Sequence, residues 1–169
     1  RLADACQPSG CLVFAQLSHP GREMTLAADG THPVAYAPSA VPNERFHVMP
    51  REMPLLLINE IIQGFEASAV HMRKAGLDGV ELVASHGYLL GQFLNPNINR
   101  RSDAYGGSRA GRMRFLQEAI AATRRGAGED LVLGVRLSGE EKDHHGAEID
   151  EMLEVCAALD ANPALDYLN

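Results

Sequence analysis

The sequence predicts an α/β fold with a parallel sheet. Three observations predict it. Short apolar runs alternate with segments of helical spacing, the pattern of βαβ units. The 169 residues hold three such units and the start of a fourth, whereas a (β/α)₈ barrel needs eight units and about 250 residues. The last apolar run ends at Asn169, where a parallel strand would lack covering helices and an edge partner. The expectation is one partial domain over residues 1–169, a segment of a barrel or of a doubly wound sheet, belonging to a longer chain that begins before Arg1.

The elements follow in order. Residues 11–17 form an apolar run after Pro8, Ser9 and Gly10 and read as a buried strand. Residues 18–54 are polar and hold Pro20, Pro33, Pro38, Pro42, Pro50 and Pro54, six of the nine prolines, so only short pieces of regular structure are expected. Ile58, Ile61, Ile62, Phe65, Ala69 and Met72 make one helical stripe, with Gly76 suited to the C′ position. Residues 80–83 are a second strand. A loop of unusual length, residues 84–107, follows. Ser108 is a good N-cap for a helix carrying Met113, Phe115, Leu116 and Ile120. Residues 131–137 are a third strand. Asp150 opens a third helix with Ile149, Met152, Leu153 and Cys156, Pro163 closes it, and residues 166–168 begin a fourth strand.

Composition bounds the function. The formal net charge is −7, which argues against nucleic acid and anionic lipid as partners. No apolar run approaches the roughly 18 residues of a membrane span. Cys6, Cys11 and Cys156 form no plausible disulfide framework, so a reduced, cytoplasmic setting is expected. His144 and His145 lie in the loop after the third strand, but adjacent residues point in different directions and no cysteine or carboxylate set completes a metal site, so none is expected.

The long loop is the first pointer to chemistry, because unstructured connections beyond about 12–15 residues are often functional and this one leaves the C-terminal end of a strand. It runs from His86, Gly87, Tyr88 and Leu89 through Gln92, Phe93, Leu94 and Pro96 to Asn99, Arg101, Asp103, Tyr105, Gly106, Gly107 and Ser108, then Arg112, Arg114 and Phe115. This spacing closely resembles the Old Yellow Enzyme family, which includes 2,4-dienoyl-CoA reductases and trimethylamine dehydrogenase-like enzymes. Two flanking runs, residues 15–22 and 134–138, agree with it. The resemblance implies a TIM barrel in which the four strands are strands three to six.

What the resemblance implies for each residue can be set beside its chemistry. A phenol with the ordinary pKa of about 10 is protonated at neutral pH, and the family's matching tyrosine donates a proton to the substrate. Tyr88 is thus the implied acid, or else a packing tyrosine. His86 is implied to hydrogen-bond a substrate carbonyl, or is a structural loop histidine. The family's second donor falls at Val83, which cannot donate. That departure favours the dienoyl-CoA reductase and amine dehydrogenase branches. Gln16 and Arg136 stand near strand ends. The family uses them for the flavin pyrimidine and its N1–C2=O edge; otherwise Arg136 could pair with a carboxylate such as Glu81. His19, Gly21 and Arg22 shape the site's rim or touch substrate. Asn99, Arg101, Asp103 and Tyr105 are expected to brace the loop by internal bonds. Gly111 replaces the family's asparagine and is expected to loosen the first helical turn.

The functional expectation is an FMN-dependent oxidoreductase that reduces an activated alkene, an enone or dienoyl thioester, with hydride from NAD(P)H. The alternatives are a flavin-dependent amine or betaine dehydrogenase or demethylase, and a non-catalytic structural or interaction fragment. The partner is a small-molecule substrate. Homo-oligomerisation is left open, and an iron–sulfur cluster is compatible only with a C-terminal part beyond Asn169.

Overall fold

A computed structural model describes residues 2–25, 27–31, 33–141 and 146–169. His144 and His145 therefore lie outside the described residues. The chain opens with a short helix, α1 (Leu2–Cys6), and a 3-10 turn (Gln7–Ser9). Four parallel strands follow in chain order across one sheet: β1 (Phe14–Leu17), β4 (Gly79–Ala84), β5 (Val132–Leu137) and β6 (Tyr167–Leu168). Helices α2 (Leu55–Lys74), α4 (Arg109–Ala127) and α5 (Ile149–Asp160) connect them.

Strand periodicity decides which sheet face these helices cover. Ala15, Leu17, Val80, Leu82, Ala84, Leu133, Val135 and Leu137 face them and join one apolar core with Ile58, Phe65, Phe115, Leu116, Ile120, Met152 and Leu159. The alternate positions, Gln16, Glu81, Val83, Gly134, Arg136 and Tyr167, lie outside that core on the opposite face. Helices on one face and strands in sequential order belong to a barrel wall. A doubly wound sheet would carry helices on both faces around a switch in strand order. The fold is thus a segment of a (β/α)₈ barrel.

Most expected elements form, with local differences. The first strand is shorter than residues 11–17. Ahead of it the Val13 N–H turns to the Asp78 carboxylate at 2.7 Å, and Gln7 Nε2 reaches the same carboxylate at 3.0 Å. Helix α2 ends in a Schellman motif at Gly76, whose φ is 77°: Gly76 N–H bonds Arg73 O and Leu77 N–H bonds Met72 O. Ser108 caps α4 by accepting from Gly111 N–H at 3.1 Å. Gly111 does not slacken that turn. A Cβ there would stand 2.1 Å from Gly106 O, so glycine is what lets the preceding turn pack onto the helix.

The largest correction concerns residues 84–107, which are not one long loop. They contain α3 (Leu89–Leu94), a six-residue helix with every residue buried. A helix covered on all sides shows no polar face, so hydrophobic contrast cannot reveal it. Phe93 packs on Phe115 with ring centroids 4.6 Å apart. The remaining turns are braced as expected. Asn99 Nδ2 donates to Phe93 O and Tyr105 O. Buried Arg101 grips Asp103 through Nε and Nη2 and donates from Nη1 to Pro38 O and Met53 O. Those two carbonyls flank the small parallel pair β2 (Tyr36–Ala37) and β3 (Arg51–Glu52) inside the proline-rich stretch.

Candidate active site

The C-terminal ends of β4 and β5 gather the residues singled out in the sequence. Val83, 4% exposed, is in register with Arg136. Beyond Ala84 the chain turns sharply. His86 and Gly87 take positive φ, 60° and 71°, and Tyr88 N–H closes the turn on Ser85 O at 3.1 Å. A non-glycine residue in the left-handed region is strained, and such residues cluster at functional sites. The His86 N–H reaches the Ser138 hydroxyl, just past β5, at 3.3 Å. His86 Nδ1 lies 2.7 Å from Ser85 Oγ. The Tyr88 ring stands 6.2 Å from the His86 ring, centroid to centroid, and the planes are tilted by 42°.

His19 borders this turn from the end of β1: its carbonyl accepts the Leu89 N–H at 2.9 Å. Its Nδ1 accepts the Gly21 N–H at 3.0 Å, which puts the ring proton on Nε2. Burial pushes the imidazole below its ordinary pKa, in keeping with a neutral ring. Fully buried Gln92 locks the rim, donating to Pro20 O and Gly87 O and accepting from Arg22 N–H. Arg22 turns inward to Val41 O and Pro42 O. A cleft of about 530 Å³ opens beside these residues, lined by His86, Gly87, Ser138, Arg22, Arg45 and Glu141 among others.

Below the rim, Gln16, Glu81, Gly134 and Tyr167 share one register layer. Glu81 accepts from Gln16 Nε2 at 2.6 Å, Tyr167 Oη at 2.9 Å and Asn169 Nδ2 at 3.0 Å. Burial works to raise the Glu81 carboxyl. The bonds from Asn169, Gln16 and Tyr167, with the nearby Arg136 charge, outweigh it and hold the carboxyl below its ordinary value. Burial and the bond to Glu81 push the Tyr167 phenol up to about 12. Gly134 leaves room for that ring, since a Cβ would run into the Tyr167 ring at Cζ.

This layer tests whether a flavin fits. A carboxylate only accepts, so Gln16 gives its NH₂ to Glu81, and its Oε1 is an acceptor with no donor among the described residues. Arg136 acts on Glu81 through space and makes no hydrogen bond or ion pair among the described residues. The contact pair with Glu81 is therefore not formed. A flavin pyrimidine offers one N–H donor beside an edge that gathers negative charge on reduction. An amide oxygen and a guanidinium that have no hydrogen-bond partner among the described residues match those two needs, and the residues fit the group.

All six expected site residues thus lie around one end of the sheet. Sequence reading missed Ser85, Ser138, Gln92 and Glu81 as their supports. Serines at strand ends carry no signal of their own. Glu81 at alternate spacing from Val83 was the available clue, since a charge on an interior face needs a reason.

Comparison with known proteins agrees with this geometry. The model of the NADH:flavin oxidoreductase / NADH oxidase family matches residues 1–166. The chain is 41% identical over 160 residues to an NADH oxidase of Thermoanaerobacter brockii, covering 94% of this chain and 24% of that protein. It is 39% identical to an NADPH dehydrogenase of Bacillus velezensis, covering 88% of this chain and 42% of the other. Among solved structures, morphinone reductase superposes with a TM-score of 0.83 at 28% identity, over 99% of this chain and 50% of that one. A 2-naphthoyl-CoA reductase superposes at 0.85 and 30% identity, over 99% and 27%. The chain spans less than half the length of these two curated relatives. The loop spacing, the barrel wall and the match along nearly all its length lead to one conclusion: the chain belongs to the NADH:flavin oxidoreductase / NADH oxidase family, of Old Yellow Enzyme type.

Proposed function

We propose that the protein carrying this chain is an FMN-dependent NAD(P)H oxidoreductase that reduces an activated alkene. One observation carries the reading: a phenol and an imidazole, Tyr88 and His86, stand on one turn at the same strand ends as the Arg136 guanidinium, which bonds to no other side chain among the described residues. A bound flavin supplies hydride chemistry. Arg136 and the Gln16 amide oxygen would hold its pyrimidine side. His86 hydrogen-bonds the substrate's activating carbonyl, and Tyr88 Oη delivers the proton to the carbon beside it. Buried Gln92 keeps the turn carrying both residues in place.

Val83 supports a finer point. With no second donor beside His86, the carbonyl clamp has one arm, which suits a thioester or an extended conjugated acid better than a small cyclic enone. The 2-naphthoyl-CoA reductase likeness points the same way. The same feature favours a second reading, oxidation of a methylated amine. One relative is named a multifunctional alkene reductase/demethylase, from Caballeronia cordobensis, at 34% identity.

Anaerobic half-reactions on the full-length, flavin-loaded protein test this. NADH or NADPH should reduce the flavin, and a dienoyl thioester or cyclohexenone should reoxidise it. Flavin reduction by dimethylglycine or N-methylproline, with no reoxidation by either alkene, would replace the first reading by the second.

A further inference from the structure

We propose that Ser85 is a positioning residue that sets the tautomer of His86, leaving its Nε2–H as the hydrogen-bond donor of the site. Ser85 Oγ stands 2.7 Å from His86 Nδ1. Ser85 is 2% exposed, and its hydroxyl has no other partner among the described residues. Two arrangements satisfy that distance. In one, Nδ1 carries the proton and donates to Oγ; the hydroxyl hydrogen is then sealed away from water with no acceptor, an arrangement that proteins avoid. In the other, the hydroxyl donates to Nδ1 and both groups are satisfied. The second arrangement places the ring proton on Nε2.

The backbone around the pair is itself held in place. His86 is held at φ 60° by its N–H bond to Ser138 Oγ and by the Tyr88-to-Ser85 bond that closes the turn. Its ring borders the cleft, while Ser85 is buried behind it. Because Val83 donates nothing, the His86 tautomer decides whether a second donor beside Tyr88 exists on this turn. Ser85 does not touch substrate; it acts through His86.

The catalytic half of the inference rests on the proposed role of His86, and the tautomer does not. Nitrogen-15 spectra of histidine-labelled, full-length, flavin-loaded protein read the tautomer in alkaline buffer, where imidazole is neutral, with His86→Gln assigning the signals. A protonated Nε2 and an unprotonated Nδ1 are expected. Ser85→Ala should slow flavin reoxidation by a carbonyl-activated alkene by roughly tenfold or more, the lower range for a lost orienting bond. Flavin reduction by the nicotinamide should stay unchanged, and Ser85→Thr should recover most of the rate. An Nδ1–H signal, unchanged reoxidation in Ser85→Ala, or no recovery in a flavin-bound Ser85→Thr would overturn the proposal. If His86→Gln leaves reoxidation intact while wild type shows Nε2–H, the role of His86 falls and the tautomer assignment stands.

Discussion

Tyr88 and His86 share one turn, yet the surroundings divide their work. His86 is strained, exposed and tied at two nitrogens, a geometry for orientation. Tyr88 is half-buried and precedes a buried helix, which fixes its backbone. Tyr88→Phe should slow the substrate half-reaction by about 10²–10⁴, the scale of a lost general acid. Stopped-flow traces of flavin reduction by the nicotinamide should be unaltered; an equal loss in both phases would count against the assignment. Val83→His addresses the missing donor. The neighbouring Arg136 charge disfavours an imidazolium at that position, so the new ring would stay neutral. Turnover of simple cyclic enones should improve by an amount worth about 1–3 kcal/mol. No gain with flavin still bound would mean the cleft is shaped for another substrate.

At the level of elements, the layer of Gln16, Glu81 and Tyr167 ties non-adjacent strands through one carboxylate. Its pH consequence has a definite sign. The folded Glu81 carboxyl lies below its ordinary value of 4.5, so its contribution is present above that pH and is lost as pH falls through the folded value. Glu81→Gln should cost about 1–3 kcal/mol near neutrality. It should also flatten the loss of stability on acidification, measured by urea melts from neutral pH into acid. Parallel pH profiles for the two proteins would contradict this.

Periodicity made α2, α4 and α5 readable, because each contrasts a buried side with an exposed one, whereas β4 and β5, covered on both faces, showed as short apolar runs. Helix α3 lacked that contrast, and β2 and β3, two residues each, are too short to show a period. The Arg101–Asp103 brace was legible from the loop's need to satisfy its own backbone and charges. Its reach to Pro38 and Met53 depends on how the proline-rich stretch folds back. The catalytic candidates came from the loop spacing. Their supports did not, because a serine's value to a histidine is a matter of distance and burial.

Among the described residues the chain forms a barrel wall whose outer strands each have one partner. β1 has β4 on one side only, β6 has β5 on one side only, and Leu12 and Phe14 are exposed at the first edge. A polypeptide of residues 1–169 alone should therefore self-associate, as unpaired edges and bare apolar side chains do. Light scattering after gel filtration would show it. Its affinity for FMN should be weaker than that of the full-length protein by several orders of magnitude, about 10²-fold at the least. In the proposed site Gln16 and Arg136 would meet only the pyrimidine side of the ring. Tight, stoichiometric quenching of flavin fluorescence by a monodisperse sample would refute both expectations.

The Tyr167 ring lying against Gly134 limits how this barrel can be recombined. A chimera that imports β5 with any larger residue at position 134 while keeping β6 would push the Tyr167 ring aside and draw its hydroxyl from the Glu81 carboxylate. Importing a smaller residue at 167 would leave the Glu81 carboxylate short of one donor. Positions 16, 81, 134 and 167 must travel together between homologues. A crossover is thus best placed outside this quartet, before β1 or after β6.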